Sequence, residues 1–248
     1  MNTAPVNPAP RATAIAPVGV VYRVLLRELL SVGRFAVIAA LGLTALASGL
    51  AIGLNDGTPE RAAELMEDFG LVVVLPVVAL LFASAVIGDL REDRTLVYLW
   101  LRPMAPWVVP VAGLAAACTV VLPAVGVPLV ASAAIAGADG AVITGTVLAV
   151  LLGTLAYGAV FVLASVVIKR VLLWGLAYIL IWEGFIAGSD GAARLAIRSY
   201  TSSILSDLSD VALGLGVHSA GTALAVLIPV IVIATGLSVV RFRRATVD

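Results

Sequence analysis

The 248 residues are 62% hydrophobic and only 12% charged, with a formal net charge of zero. Water-soluble domains run near 45–50% apolar and about 25% charged. This much apolar surface cannot be hidden inside one soluble globule, so the composition places the chain in a membrane. The balanced charge offers no basic field for nucleic acid. One cysteine, Cys118, excludes an intrachain disulfide and a multi-cysteine metal centre, and one histidine, His218, leaves almost nothing for histidine-based chemistry.

Residues 1–17 (MNTAPVNPAPRATAIAP) are rich in Ala and Pro and lack an apolar core. They read as a flexible tail and not as a secretory signal. Residues 18–248 are expected to form a single transmembrane domain. Over 18–31 (VGVVYRVLLRELLS), Val18, Val21, Leu25, Leu29 and, just beyond, Val32 share one face, with Arg23, Arg27 and Glu28 elsewhere. That spacing predicts an amphipathic helix lying in the cytoplasmic interface.

A span needs about 20 apolar residues to cross roughly 30 Å of hydrocarbon. Six stretches qualify, at about 35–54, 69–88, 107–136, 141–168, 171–187 and 221–240. The fold class expected is therefore an all-α integral membrane protein with six transmembrane helices. Pro110, Pro123 and Pro128 favour kinks in the third span. The fifth is short and contains Glu183. Between spans two and three lies the longest cytoplasmic connection, 89–106 (DLREDRTLVYLWLRPMAP). Between spans five and six lies 188–219, where Leu195, Ile204, Leu205, Leu208 and Leu213 have helical spacing. One or two short helices on the outer leaflet, or dipping into it, are expected there.

With the N-terminus placed in the cytoplasm, twelve of the fifteen basic residues fall inside and only Arg61, Arg194 and Arg198 fall outside. The acids Asp56, Glu60, Glu64, Glu67, Asp68, Asp139, Asp190, Asp207 and Asp210 fall outside. An even number of spans then puts both termini in the cytoplasm. The Ala, Val, Leu and Arg richness with a single lysine suggests a GC-rich bacterial source, and so a bacterial cytoplasmic membrane.

Enzyme signatures are missing. No H-E-x-x-H, histidine pair or intramembrane acid pair occurs, and Lys169 follows no glycine-rich phosphate loop. The chain is expected not to be an enzyme and to bind no cofactor or metal. Any ATP and Mg would be handled by a partner.

In 89–106 an acidic cluster (Asp89, Glu92, Asp93) precedes Thr95 and the apolar-aromatic run LVYLWLRP. Asp93 or Glu92 can cap a helix starting near Arg94 or Thr95. Its apolar face would suit docking to another protein or anchoring in headgroups. This pattern resembles the loop of ABC-2-type ABC transporter permeases, with Glu92, Thr95, Leu99 and Pro103 at matching positions. Arg94 stands where that family commonly has Gly, and Ala105-Pro106 replaces its usual basic position. The amphipathic stretch before the first span is similar to the family's elbow helix. YILIWEGFIAG at 178–188 looks like the Trp-Glu-Gly ending of its fifth span, leading into outside re-entrant helices.

The resemblance implies the permease subunit of an ATP-driven exporter. Two such subunits, identical or related, would form the pathway, and separate ATPase subunits would dock on them. On this sequence the docking candidates it implies are Arg27 and Glu28 in the elbow and Glu92, Asp93, Thr95 and Leu99 in the loop. The alternative is an ion- or proton-coupled secondary transporter using Glu183. A membrane scaffold without transport is a third possibility.

A carboxylate in hydrocarbon costs roughly 2.5–3.5 kcal/mol on insertion scales. Glu183 is thirteen residues beyond Arg170, or about 20 Å at 1.5 Å per residue, which predicts a position in the membrane's outer third. Arg194 and Arg198 follow at i,i+4 spacing. Either would offset the burial by pairing with Glu183, as an outside gate or tie. Capping of the next turn, substrate contact and proton coupling are the other roles open to it.

Overall fold

The computed structural model describes residues 16–92, 105–185, 196–216 and 218–245. Among these every regular element is helical. Helix α1 spans Ala16–Leu29, α2 Val32–Gly53, α3 Pro59–Leu65 and α4 Leu75–Glu92, with a π-helical segment, Met66–Val74, joining α3 to α4. Helix α5 spans Val108–Ile135, α6 Gly140–Val167 and α7 Val171–Ala177, which runs into a second π-helical segment, Tyr178–Phe185. Helices α8 (Ile197–Ser209) and α9 (Ala220–Ala245) complete the described fold.

Among the described residues, five stretches are long and apolar enough to cross a membrane: Val32–Gly53, Pro59–Gly88, Val108–Ile135, Gly140–Val167 and Ala220–Arg244. Val171–Glu183 is apolar but shorter. This is the fifth expected span, 171–187, whose last two residues lie outside the described ones.

Local sequence explains several boundaries. Thr58 accepts from the Arg61 backbone N–H, and Pro59 occupies the first turn, where its missing N–H costs nothing. This start pulls Glu60, Glu64, Glu67 and Asp68, expected in an outside loop, into a helix continuous with the second span. Asp139 caps α6 by accepting from the Val142 N–H at 2.9 Å. Helix α5 runs on through Pro123 and Pro128 as one element.

The Pro59–Gly88 stretch is central, with 78% of its most apolar window buried, against 11% for α2 and 22% for α9. The latter two leave rows such as Leu43, Leu50, Ile228 and Val232 exposed, the surface a helix presents to lipid. Lipid tails are as apolar as leucine, so packing and hydrogen bonds have to hold such helices together. Glycines at four-residue spacing do this between α2 and α5. A β-carbon at Gly49, Gly53 or Gly57 would run into the backbone oxygens of Ser132, Ile135 or Ala136. At the same contact Ser132 Oγ donates to the Ala45 carbonyl at 2.6 Å.

Helix α1 buries Val21, Leu25 and Leu29 as its spacing predicts, and it packs on α5. Val32, counted on that face, is instead exposed at the start of α2, because the chain breaks helix at Leu30–Ser31. The Tyr22 hydroxyl donates to Thr119 Oγ1 at 3.0 Å.

Helix α8 does not take the first of the two arrangements expected for 188–219, on the surface of the leaflet. It is not a surface helix: every residue from Ile197 to Leu205 is buried, with α6, α9 and the first π segment as neighbours. Leu208 alone of its expected apolar set is left exposed, Ile204 and Leu205 being buried, and Leu195 lies outside the described residues. The helix is rich in serine and threonine, yet burial is tolerable because several hydroxyls bond back into the helix. Thr201 donates to the Arg198 carbonyl at 2.9 Å and Ser203 to Ser199 at 2.7 Å.

Candidate functional site

Glu183 is 1% exposed, as buried as any apolar core residue. Two tyrosine hydroxyls donate to its carboxylate: Tyr157 of α6 to Oε2 at 2.8 Å, and Tyr178 to Oε1 at 3.0 Å. Helix winding makes the second bond possible. In an α-helix, positions five apart point to different sides. In a π-helix the repeat is i to i+5, so Tyr178 lies beneath Glu183. The rings are held in turn by Phe161, stacked on Tyr157 at 5.9 Å and edge-on to Tyr178 at 6.4 Å.

Helix α8 begins at this carboxylate. Its N-cap, Ala196, has no side chain to accept from the first-turn donors. The Arg198 backbone N–H and its guanidinium charge both act on Glu183. Glu183 therefore places negative charge at the helix start, where the macrodipole favours it. Arg198 itself is 5% exposed, and its Nε has no partner among the described residues.

The position of Tyr157 gives a second count of this depth. Tyr157 precedes Val167, the end of α6, by ten residues, roughly 15 Å at 1.5 Å per residue. Its side chain leans a few Å toward the start of the helix. Glu183 therefore stands about 15–20 Å from the Lys169–Arg170 end, a range that includes the roughly 20 Å counted on the sequence.

A second buried carboxylate was placed in a loop by the sequence pattern. Glu67, 4% exposed, also lies in a π-helical segment. Its Oε2 accepts from the Gly214 N–H at 3.1 Å and its Oε1 from Leu215 at 2.9 Å. The Ser202 hydroxyl lies beside this carboxylate but falls outside hydrogen-bonding geometry. Glu67 and the serines of α8 fasten the turn into α9: Ser206 Oγ donates to the Val211 carbonyl at 2.6 Å, and Ser203 Oγ accepts from the His218 N–H at 3.1 Å. His218 stacks on Tyr200 at 5.4 Å. Asp207 caps α9 by accepting from Ala220 at 2.9 Å. Glu67→Ala is expected to orphan two backbone donors, each bond to a charged acceptor contributing about 1.5–3 kcal/mol. Faster proteolysis within residues 210–216, with the rest of the chain still protected, is the readout.

Of the other expected site residues, Arg27 and Glu28 lie on the exposed side of α1, and the Glu28 carbonyl accepts from Arg34 Nη1 at 3.2 Å. Glu92 is the last residue of α4, and its side chain is not described. Asp93, Thr95, Leu99 and Arg194 lie outside the described residues. Tyr157, Tyr178 and Glu67 were missed on the sequence. The available signal for Tyr157 was a phenol in the middle of an apolar helix, since a buried Tyr hydroxyl usually has a partner.

No group of three or more His, Cys, Asp or Glu side chains that could hold a metal ion occurs among the described residues. A scan against protein-family models and a search of curated proteins each find no match to this chain.

Proposed function

We propose that the chain is the transmembrane permease subunit of an ATP-driven exporter of the ABC-2 type, working as a homo- or heterodimer with separate ATPase subunits. One observation carries the reading: the apolar segment ending in Trp182-Glu183-Gly184 is followed by a buried helix, α8, whose start meets that same glutamate. This matches what the resemblance implies for the passage between spans five and six. The amphipathic α1, packed on α5 with Arg27 and Glu28 outward, supports an elbow at the cytoplasmic surface. In this reading α7, its π segment and α8 together form a broken fifth span, both termini face the cytoplasm of a bacterium, and Glu92, Asp93, Thr95 and Leu99 join α1 in docking the ATPase. Nucleotide and Mg stay with the ATPase. The Glu183–Arg198 contact ties the outer half of the pathway to the inner half.

The test is co-purification with the products of neighbouring genes. A nucleotide-binding subunit should accompany the wild type and be retained at least tenfold less by Arg27→Ala/Glu28→Ala. Absence of any such subunit would overturn the reading.

The burial of Glu183 within a π-helical segment favours one second reading, an ion- or proton-coupled secondary transporter. Such carriers place their sites near the midplane at interrupted helices. Uptake into vesicles driven by a pH gradient without nucleotide would establish it.

A further inference from the structure

We infer that the chain carries a built site for one anionic phospholipid, with its headgroup between the start of α2 and the α6–α7 turn and an acyl chain along the α6–α7 groove. A cavity of about 270 Å³ opens where Arg34, Lys169 and Arg170 converge with Ser84 and Gly88 at the end of α4. Three cations from two separate segments thus line one pocket, together with one hydroxyl donor. All of them can donate to phosphate oxygens. A basic pocket between membrane helices is the arrangement that selects anionic headgroups.

The second half of the site is apolar. A groove of about 180 Å³ lies between α6 and α7, lined by Val160, Phe161, Ala164, Trp174, Gly175 and Tyr178. It shares Ile168 and Val171 with the cationic cavity. Headgroup pocket and groove are therefore neighbours, in the order a phospholipid requires. Leu172, Leu173 and Trp174, more than half exposed beside the opening, give the chain an apolar edge toward the bilayer. A free inorganic phosphate would use the cations but gain nothing from the groove, and a neutral phospholipid would do the reverse. The inference does not depend on how transport is powered.

The experiment uses the full chain in detergent, with each lipid added at equal concentration and read by thermal melting and native mass spectrometry. Phosphatidylglycerol should raise the melting temperature and give a one-lipid adduct at least tenfold more abundant than phosphatidylcholine does. Inorganic phosphate should produce neither effect. Arg34→Gln/Lys169→Gln/Arg170→Gln should abolish the preference, while Arg241→Gln/Arg243→Gln/Arg244→Gln, which removes three cations at the end of α9, should keep it. Should the first triple variant fail to fold, Ala164→Phe tests the site separately by filling the groove, and the adduct should fall at least fivefold. Equal stabilisation by both lipids, an effect of phosphate alone, equal loss in both triple variants, or an undiminished adduct in Ala164→Phe would each overturn the inference.

Discussion

Gly49→Ala is expected to destabilise the protein by about 1–3 kcal/mol, the usual cost of overpacking a close contact, while Gly236→Ala leaves it unchanged or slightly more stable. The two substitutions add the same methyl group to the interior of a helix, where Ala is favoured over Gly by up to about 1 kcal/mol. They differ only in what the methyl meets. At Gly236 nothing lies within 4 Å. At Gly49 it meets the backbone carbonyl and hydroxyl of Ser132. A carbonyl in a helix cannot rotate away as a leucine tip can, so α2 must move off α5. Movement also breaks the Ser132 to Ala45 bond, a link that matters more where no hydrophobic driving force operates between helices. Gly53→Ala repeats the experiment one turn on, against the Ile135 carbonyl. Denaturant titration in mixed micelles compares the three variants. Equal midpoints for Gly49→Ala and Gly236→Ala would mean that α2 is not held at this seam.

The long elements were readable because a membrane leaves a coarse signal. Twenty apolar residues with charge at the ends locate a helix, and the observed α2, α5 and α6 begin and end within three residues of their expected limits. The close approach of α2 to α5 was written in the Gly49, Gly53, Gly57 spacing, but that repeat says nothing about which helix it meets. What stayed hidden depends on winding and on polar burial. Hydropathy does not distinguish a π turn from an α turn, so the pairing of Tyr178 with Glu183 was out of reach. Glu67 read as a loop residue because its neighbours Glu64 and Asp68 are charged, although its own carboxylate turns inward to the 210–216 turn. Whether helix α8 lies on the leaflet or dips into it stayed open on the sequence because serine and threonine count as polar. The hydroxyls of Thr201, Ser203 and Ser209 bond within the helix, and the residues behave as small packing groups.

Glu183→Ala is expected to be the most damaging single change at the site, at about 3–5 kcal/mol, the range for removing one partner of a buried charged contact. Two donors lose their acceptor together, the Tyr157 and Tyr178 hydroxyls, and the start of α8 loses the negative charge beside it. Arg198, 5% exposed, also loses the negative charge that acts on it. Tyr157→Phe alone removes one donor to a charged acceptor, a loss of about 1.5–3 kcal/mol. In the Glu183→Ala background the same change should cost almost nothing, because the hydroxyl is already orphaned there. The double-mutant cycle therefore predicts a coupling of at least 1 kcal/mol, and additive effects would show that the bond carries no stability. Glu183→Gln separates shape from charge. The amide retains an acceptor for one tyrosine and can donate to the other, so the two phenols remain satisfied while Arg198 loses its opposing charge. If the carboxylate acts as a tie, Glu183→Gln should unfold earlier than wild type and transport in proportion to the folded fraction. If it carries an ion or proton, the folded variant should be inactive at every pH. Measuring folded fraction and transport on the same vesicles distinguishes the two, because only the coupled carrier loses activity without losing fold.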